Sequence, residues 1–111
     1  MSTATATIKI TRSDDLPGRY NVHVDGIHFG WVSKSLLDEK WSAHACTIDD
    51  LGRGERVIEG APRRKDAIFE LLLSVRRAGT VYVFDADYRS LQRPVDVARL
   101  ADWALDEWIN R

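Results

Sequence analysis

The sequence predicts an α+β fold, with an antiparallel four-stranded meander, one helix packed across it, and a second C-terminal helix. Three observations indicate this class. The segment TATATIKIT alternates strictly between apolar and polar residues, which is the period of a strand. The segment GRYNVHVDGIHFGWV has the pattern of a complete hairpin. The segment from Pro62 to Gly79 carries apolar residues at helical spacing.

Size and composition indicate one globular domain. The chain has 111 residues, 44% of them hydrophobic and 30% charged, with a formal net charge of −1. A chain of this length can bury one core without disulfides or metals, so we expect a single domain over residues 1–111. The nearly balanced charge argues against a protein that coats nucleic acid through bulk charge.

The N-terminal segment and the cysteine content indicate a cytoplasmic protein. Cys46 is the only cysteine, so no internal disulfide can form. The N-terminus lacks a basic segment followed by a long apolar run, as a signal peptide would have. The longest apolar run, around LLLSV, is too short to cross a bilayer, so we expect no membrane partner.

The first strand and the hairpin are predicted from the alternation of apolar and polar residues. In the first strand the inward positions are Ala4, Ala6, Ile8 and Ile10. In the hairpin Asp25-Gly26 suits a two-residue type I′ turn, in which both residues take positive φ. This register predicts three inward pairs: Val24 with Ile27, Val22 with Phe29 and Tyr20 with Trp31.

The remaining elements are predicted from the spacing of apolar residues and from the positions of proline and glycine. KWSAHACTI reads as a strand with Trp41, Ala43 and Ala45 inward, and a short strand at 56–59 follows a Gly-rich loop. The first helix should open at Pro62 and end before Gly79. TVYVFDAD reads as one more short strand. The second helix should open at Pro94, with Asp96 in its first turn. The stripes expected to be buried in the two helices are Ile68, Leu71, Leu72 and Val75, then Val97, Leu100, Ala101, Ala104, Leu105 and Trp108.

The predicted outward face of the sheet carries every histidine, His23, His28 and His44, together with Cys46. Opposed His23 and His28 should disfavour each other's protonation. Histidine and thiolate are ligands that zinc prefers, but no CxxC or HxxxH spacing supports a site. We therefore expect a solvated polar face without a metal or another cofactor.

Motif spacing predicts a protein without catalytic activity. No GxSxG, Walker A or GxGxxG pattern occurs. Asp85 and Asp87 follow a strand, where aspartate is a common turn residue. Cys46 and His44 share a strand face, roughly 6–7 Å apart by strand rise, and lack an orienting third group.

Two groups of residues could form binding surfaces. Trp103 falls on the polar face of the last helix beside Arg99 and Glu107, which indicates a protein interface or self-association as a dimer. Basic residues also cluster in the Gly-rich loop and at the first helix start, where they could contact phosphates or form a solvated loop. These candidate nucleic-acid contacts are Arg53, Arg56, Arg63, Arg64 and Lys65.

The order Y-x-V-x-V-D-G, W-x-A and an Arg-rich helix start resembles small uncharacterised accessory proteins of actinobacterial phages and plasmids. The resemblance covers residues 19–75 and implies a small non-catalytic protein. We therefore expect a regulator or inhibitor acting on a protein partner. The alternative is a DNA-binding regulator that uses the basic residues.

The strands followed by a helix also resemble DNA-reading domains of AP2 type and integrase arm-binding modules. Those domains place arginines on the exposed strand face to reach base edges. Here only Arg19, Lys34 and Lys40 flank that face as basic residues. The residues expected on the face itself are Asn21, His23, His28, Gly30, Val32, Ser42 and His44.

Overall fold

A computed structural model describes residues 6–47, 55–85 and 88–111. Seven strands and two helices are described in these ranges, and they confirm the α+β class. In chain order they are β1 (Ile8–Arg12), β2 (Arg19–Val24), β3 (Ile27–Lys34), β4 (Trp41–Ala45), β5 (Glu55–Ala61), α1 (Arg64–Ala78), β6 (Thr80–Asp85), β7 (Tyr88–Asp96) and α2 (Ala98–Ile109).

The main sheet is a meander of five antiparallel strands in the order β1-β2-β3-β4-β5. The predicted count of four is wrong by one strand, because β5 extends from Glu55 to Ala61 and pairs along the whole of β4. A second sheet pairs β6 with β7. Of the inward positions predicted for the first strand, Ala6 and Ile8 are buried and Ile10 packs against the core, whereas Ala4 lies outside the described residues.

The β2–β3 hairpin begins as the sequence predicts. Asp25 and Gly26 have φ of 50° and 82°, the positive values that a type I′ turn requires. Val24 pairs with Ile27, and His23 pairs with His28. Beyond these pairs the register shifts by one residue, because Phe29 is an extra residue and Val22 pairs with Gly30. This β-bulge reverses the inward and outward alternation of the rest of β3.

The bulge corrects three predicted positions. Trp31 pairs with Asn21 instead of Tyr20 and lies on the outer face, so its predicted place in the core is wrong. Val32 is fully buried and Gly30 is buried, although both were expected on the exposed face. The other five residues of the predicted inward set lie in the core or pack against it: Tyr20, Val22, Val24, Ile27 and Phe29.

Helix α1 crosses the inner face of the sheet and supplies the centre of the core. Its predicted stripe of Ile68, Leu71, Leu72 and Val75 is fully buried. Each such side chain contributes about 1.5–3 kcal/mol by leaving water. The helix ends where Gly79 takes φ of 74° and donates its N–H to the Val75 carbonyl. It begins at Arg64, so Pro62 precedes the helix instead of opening it.

The start of the second helix differs from the prediction. Pro94 lies within β7, where it pairs with Tyr82, and α2 begins only at Ala98. Proline is tolerated there because, among the described strands, β7 pairs with β6 alone. Asp96 precedes the helix and its Oδ1 accepts the Ala98 N–H at 3.1 Å.

Helix α2 covers α1 with the predicted apolar face, and the indole of Trp108 donates from Nε1 to the Lys65 carbonyl at 3.2 Å. This bond joins the end of α2 to the start of α1. Neither described helix combines the length and apolar character needed to cross a membrane.

We predict that Gly30→Ala destabilises the fold by roughly 2–4 kcal/mol in urea unfolding. A Cβ at Gly30 would overlap the His44 carbonyl oxygen and lie 2.8 Å from Leu71 Cδ1. Gly26→Asn is the control, because Asn tolerates positive φ and a Cβ there meets no atom within 4 Å. Equal stability of Gly30→Ala and the native chain would contradict the close packing of α1 on the bulge.

Candidate functional site

The surface of the main sheet opposite α1 carries a continuous polar and aromatic group of side chains. One row of paired residues crosses all five strands: Thr11, Asn21, Trp31, His44 and Arg56. We call the central group the outer-face cluster, and its members are Arg19, His23, His28, Trp31, His44, Cys46 and Arg56. The predicted sharing of one face by the three histidines is confirmed.

The rings of the outer-face cluster stack side by side. The ring centroids of His23 and His28 are 4.9 Å apart, and those of Trp31 and His44 are 5.2 Å apart at an interplanar angle of 9°. These separations approach the spacing of neighbouring strands, so the rings stand face to face on the sheet. The Arg19 guanidinium lies 4.2 Å from the Trp31 ring centroid. The cluster therefore presents ring edges instead of open faces for stacking.

The environment of the cluster favours neutral histidines. Burial, and secondarily the charge of neighbouring His23, lowers the pKa of His28 to about 4. Burial and the Lys9 ammonium lower the pKa of His23. Burial and the Arg56 guanidinium lower the pKa of His44. The predicted effect of one histidine on the other is present at His28, where burial is the larger cause, whereas burial and Lys9 are the causes at His23.

Cys46 pairs with a different histidine from the one expected. Its Sγ lies 3.8 Å from Nδ1 of His28, whereas the ring of His44 stacks on Trp31. Burial raises the pKa of the Cys46 thiol to about 11. A thiol in this state is a poor nucleophile at neutral pH. Within the described residues no three histidine, cysteine or carboxylate side chains are arranged to hold a metal ion.

Three buried polar atoms of the cluster have no hydrogen-bond partner among the described residues: Arg19 Nε, His28 Nε2 and His44 Nδ1. Each such atom costs roughly 1–3 kcal/mol when it stays unsatisfied. All three belong to side chains of the outer-face cluster.

The structure places the residues of the predicted basic patch at different sites on the fold. Arg56 lies on the outer face, where its Nε donates to His44 Nε2 at 3.5 Å and it forms an ion pair with Glu59. Arg63 donates two hydrogen bonds to Asp66 at the start of α1. Arg64 instead lies 5.0 Å from the ring centroid of Tyr20, on the inner side of the sheet. Arg53 lies outside the described residues.

Two members of that patch line a cleft where the start of α1 meets the end of α2. This helix-end cleft has a volume of ≈ 380 Å³, and its lining residues are Arg64, Lys65, Trp108 and Arg111. The Arg111 guanidinium lies 4.9 Å from the Trp108 ring centroid. Sequence reasoning missed this site because 43 residues separate Lys65 from Trp108. The grouping of cations at the helix start was the available signal.

The residues of α2 that the sequence predicts as an interface are not all exposed on its polar face. Trp103 is half-buried and packs against the core, so its assignment to the polar face alone is wrong. Arg99 is exposed. Glu107 forms an ion pair with Arg111 at 3.6 Å. The role of Trp103, Arg99 and Glu107 as an interface stays a prediction.

A second exposed apolar feature lies at the turn between β3 and β4, which we call the leucine tip. Leu36 and Leu37 are 91% and 97% exposed. The turn is ordered by hydrogen bonds from the Ser35 N–H to the Lys40 carbonyl and from the Glu39 N–H to the Ser35 carbonyl. Sequence reasoning treated this segment only as a link between strands.

Comparison of the chain with protein-family models, curated proteins and solved structures finds no match. The resemblances to phage and plasmid accessory proteins and to strand-reading DNA-binding domains therefore stay predictions.

We predict that the fold loses stability as pH falls from about 6.5 toward about 4. The folded His28 has a pKa of about 4, below its ordinary 6.5, so the unfolded chain binds more protons in this window. The contribution is complete above the unfolded pKa and is lost as pH falls. His28→Gln should flatten this dependence in urea unfolding at pH 7 and pH 5. An NMR titration midpoint near 6.5 for His28 would contradict the buried arrangement.

We predict that Cys46 reacts with iodoacetamide on the order of 100-fold more slowly at pH 8 than an exposed cysteine. Its pKa of about 11, against an ordinary 9.0, leaves far less thiolate to attack the reagent. Reaction in urea, where the burial is lost, supplies the control. Equal rates for the folded and unfolded chains would contradict the raised pKa.

Proposed function

We propose that this protein is a non-enzymatic binding protein, a small regulator or inhibitor that acts through contacts with a protein partner. The observation that carries the proposal is the leucine tip, where two adjacent leucines are almost completely exposed on an ordered turn. Large apolar side chains grouped on a surface are typical of interaction sites.

The leucine tip is held in place by its own polar groups. The Ser35 Oγ accepts the Leu37 N–H at 3.2 Å, and the Asp38 Oδ1 accepts the Lys40 N–H at 3.0 Å. A turn ordered in the free protein loses less conformational entropy on binding. Burial of each leucine on a partner would contribute about 1.5–3 kcal/mol.

The loop between β1 and β2, at the same end of the sheet, carries a further exposed leucine. The Lys34 N–H donates to the Gly18 carbonyl at 2.9 Å, which joins the β3–β4 turn to the loop between β1 and β2. That loop carries Leu16, which is 49% exposed. Charges of both signs surround the leucines, from Asp38 and Lys40. The partner that fits is a protein with an apolar pocket and a rim of mixed charge.

The state of the titratable groups supports a binding role over catalysis. Lowered histidine pKa values and a raised Cys46 pKa favour the uncharged forms of the histidines and the thiol in the outer-face cluster. A Cys–His nucleophile instead needs a thiolate and a histidine near its titration range.

A DNA-binding regulator is the second candidate, and one observation favours it. Arg19 and Arg56 both lie in the outer-face cluster, and Lys9 pairs with His23 beside them. These cationic side chains lie on one surface of the sheet, where they could contact phosphates. On this candidate the outer face, instead of the dispersed basic patch, contacts the nucleic acid.

For the primary proposal, we predict that Leu36→Ser/Leu37→Ser weakens binding of the captured partner at least 10-fold without changing the unfolding free energy by more than about 0.5 kcal/mol. The partner is captured from the source cell with nuclease present, then purified for titration calorimetry. Trp103→Ala is the comparison for the α2 face. Retention of affinity in the double-leucine variant, with loss in Trp103→Ala, would contradict the leucine tip.

For the second candidate, we predict that Arg19→Ala weakens duplex DNA binding at least 5-fold. The affinity of the native chain should also fall steeply between about 50 and 200 mM salt, as it does for proteins that contact several phosphates. Arg63→Ala serves as a control of equal charge, because Arg63 already pairs with Asp66. Fluorescence anisotropy with a labelled duplex measures both. Equal losses for Arg19→Ala and Arg63→Ala would argue against the outer face as the contact.

A further inference from the structure

We propose that the helix-end cleft is a binding site for a small phosphomonoester. The inference goes beyond the protein-binding proposal and does not depend on it. Three of the four side chains that line the cleft are cationic: Arg64, Lys65 and Arg111. None of the four lining side chains carries a carboxylate.

The cationic side chains are positioned by aromatic contacts. Arg64 lies over the ring of Tyr20, and Arg111 lies over the ring of Trp108 at 4.9 Å. The Trp108 indole is itself held by its bond to the Lys65 carbonyl. An ordered guanidinium loses little entropy when it binds an anion, and its planar fork matches phosphate oxygens.

Three arginines outside the cleft each have a carboxylate partner. Arg56 pairs with Glu59, Arg63 with Asp66 and Arg76 with Asp102.

Within the described residues neither Arg64 nor Lys65 forms an ion pair, and Arg111 has Glu107 at 3.6 Å. The cleft therefore gathers cations that lack a full set of carboxylate partners. A bound dianion would offset their mutual repulsion.

The backbone at the start of α1 also favours an anion in the cleft, in addition to the cationic side chains. Arg63 precedes α1 and its side chain makes no capping bond to the first turn. The positive end of the helix dipole thus lies beside Arg64 and Lys65. A phosphate in the cleft would lie in the field of the helix and of three cations together.

Size and charge select the ligand class. A volume of ≈ 380 Å³ falls in the range of small-molecule sites, so the cleft can hold a phosphate together with an attached organic group. A phosphomonoester carries up to two negative charges at neutral pH and three oxygens for Arg and Lys donors. A monocarboxylate would leave more of the positive charge unbalanced.

The test is a ¹⁵N NMR titration of the full chain with three probes: inorganic phosphate, adenosine 5′-monophosphate and adenosine. We expect the monophosphate and inorganic phosphate to shift the backbone signals of Arg64 and Lys65 and the indole signal of Trp108. Adenosine should produce no such shift. The monophosphate should bind more tightly than inorganic phosphate if the cleft also contacts the organic group, and equally if the phosphate alone is held.

Matched variants distinguish a specific binding site from nonspecific attraction to positive charge. Arg64→Gln and Arg111→Gln should each weaken binding of the monophosphate at least 5-fold. Arg76→Gln removes the same charge at the other end of α1 and should change the affinity less than 2-fold. Thermal unfolding of each variant confirms that the fold is retained, and Lys65→Gln replaces any variant that does not fold.

Three outcomes would overturn the proposal. One is the absence of shifts at the cleft with 20 mM of either phosphate probe. Another is an equal loss of affinity in Arg76→Gln and Arg64→Gln, which would indicate nonspecific charge attraction. The third is binding of duplex DNA, but of neither small probe, with shifts at the same residues. None of these outcomes bears on the leucine tip, which is tested by its own variants.

Discussion

The extra residue at Phe29 determines which side chains of β3 face α1 and which face outward. With Phe29 unpaired, Val22 lies opposite Gly30, and the alternation resumes one position out of step. Gly30 then lies where a Cβ would overlap the neighbouring backbone and the side chain of Leu71. A glycine at this position permits close contact between the helix and the sheet. The core and the outer face both depend on this one irregularity.

The same bulge assembles the outer-face cluster. Without the shift, Trp31 would point toward α1 and His44 would have no ring beside it. With the shift, Trp31 lies between the Arg19 guanidinium and the His44 ring. Side chains at consecutive positions of a row then stand one strand spacing apart, which is also a stacking distance for rings. The aromatic stack is thus a consequence of strand pairing, and burial within it keeps the histidines neutral.

The surfaces proposed for binding differ in chemistry because different elements build them. The leucine tip is formed within one turn, so local hydrogen bonds suffice to present its two side chains. The helix-end cleft needs the docking of α2 on α1, and the bond from Trp108 to the Lys65 carbonyl holds its two walls together. The outer-face cluster needs four strands in register. An apolar tip, a cationic cleft and an aromatic face that carries two arginines can therefore serve separate ligands.

The sequence by itself determined the α+β class, the Asp25-Gly26 turn, the opposed His23 and His28, and the buried stripe of α1. Each of these depends on residues close together in the chain, whose spacing sets a period or a turn conformation. Tertiary structure alone decided the outward position of Trp31 and the residence of Pro94 in β7. It also brought Arg64 and Lys65 beside Trp108. These features depend on strand register and helix docking, which are set by packing between distant segments and leave no periodic trace in the sequence.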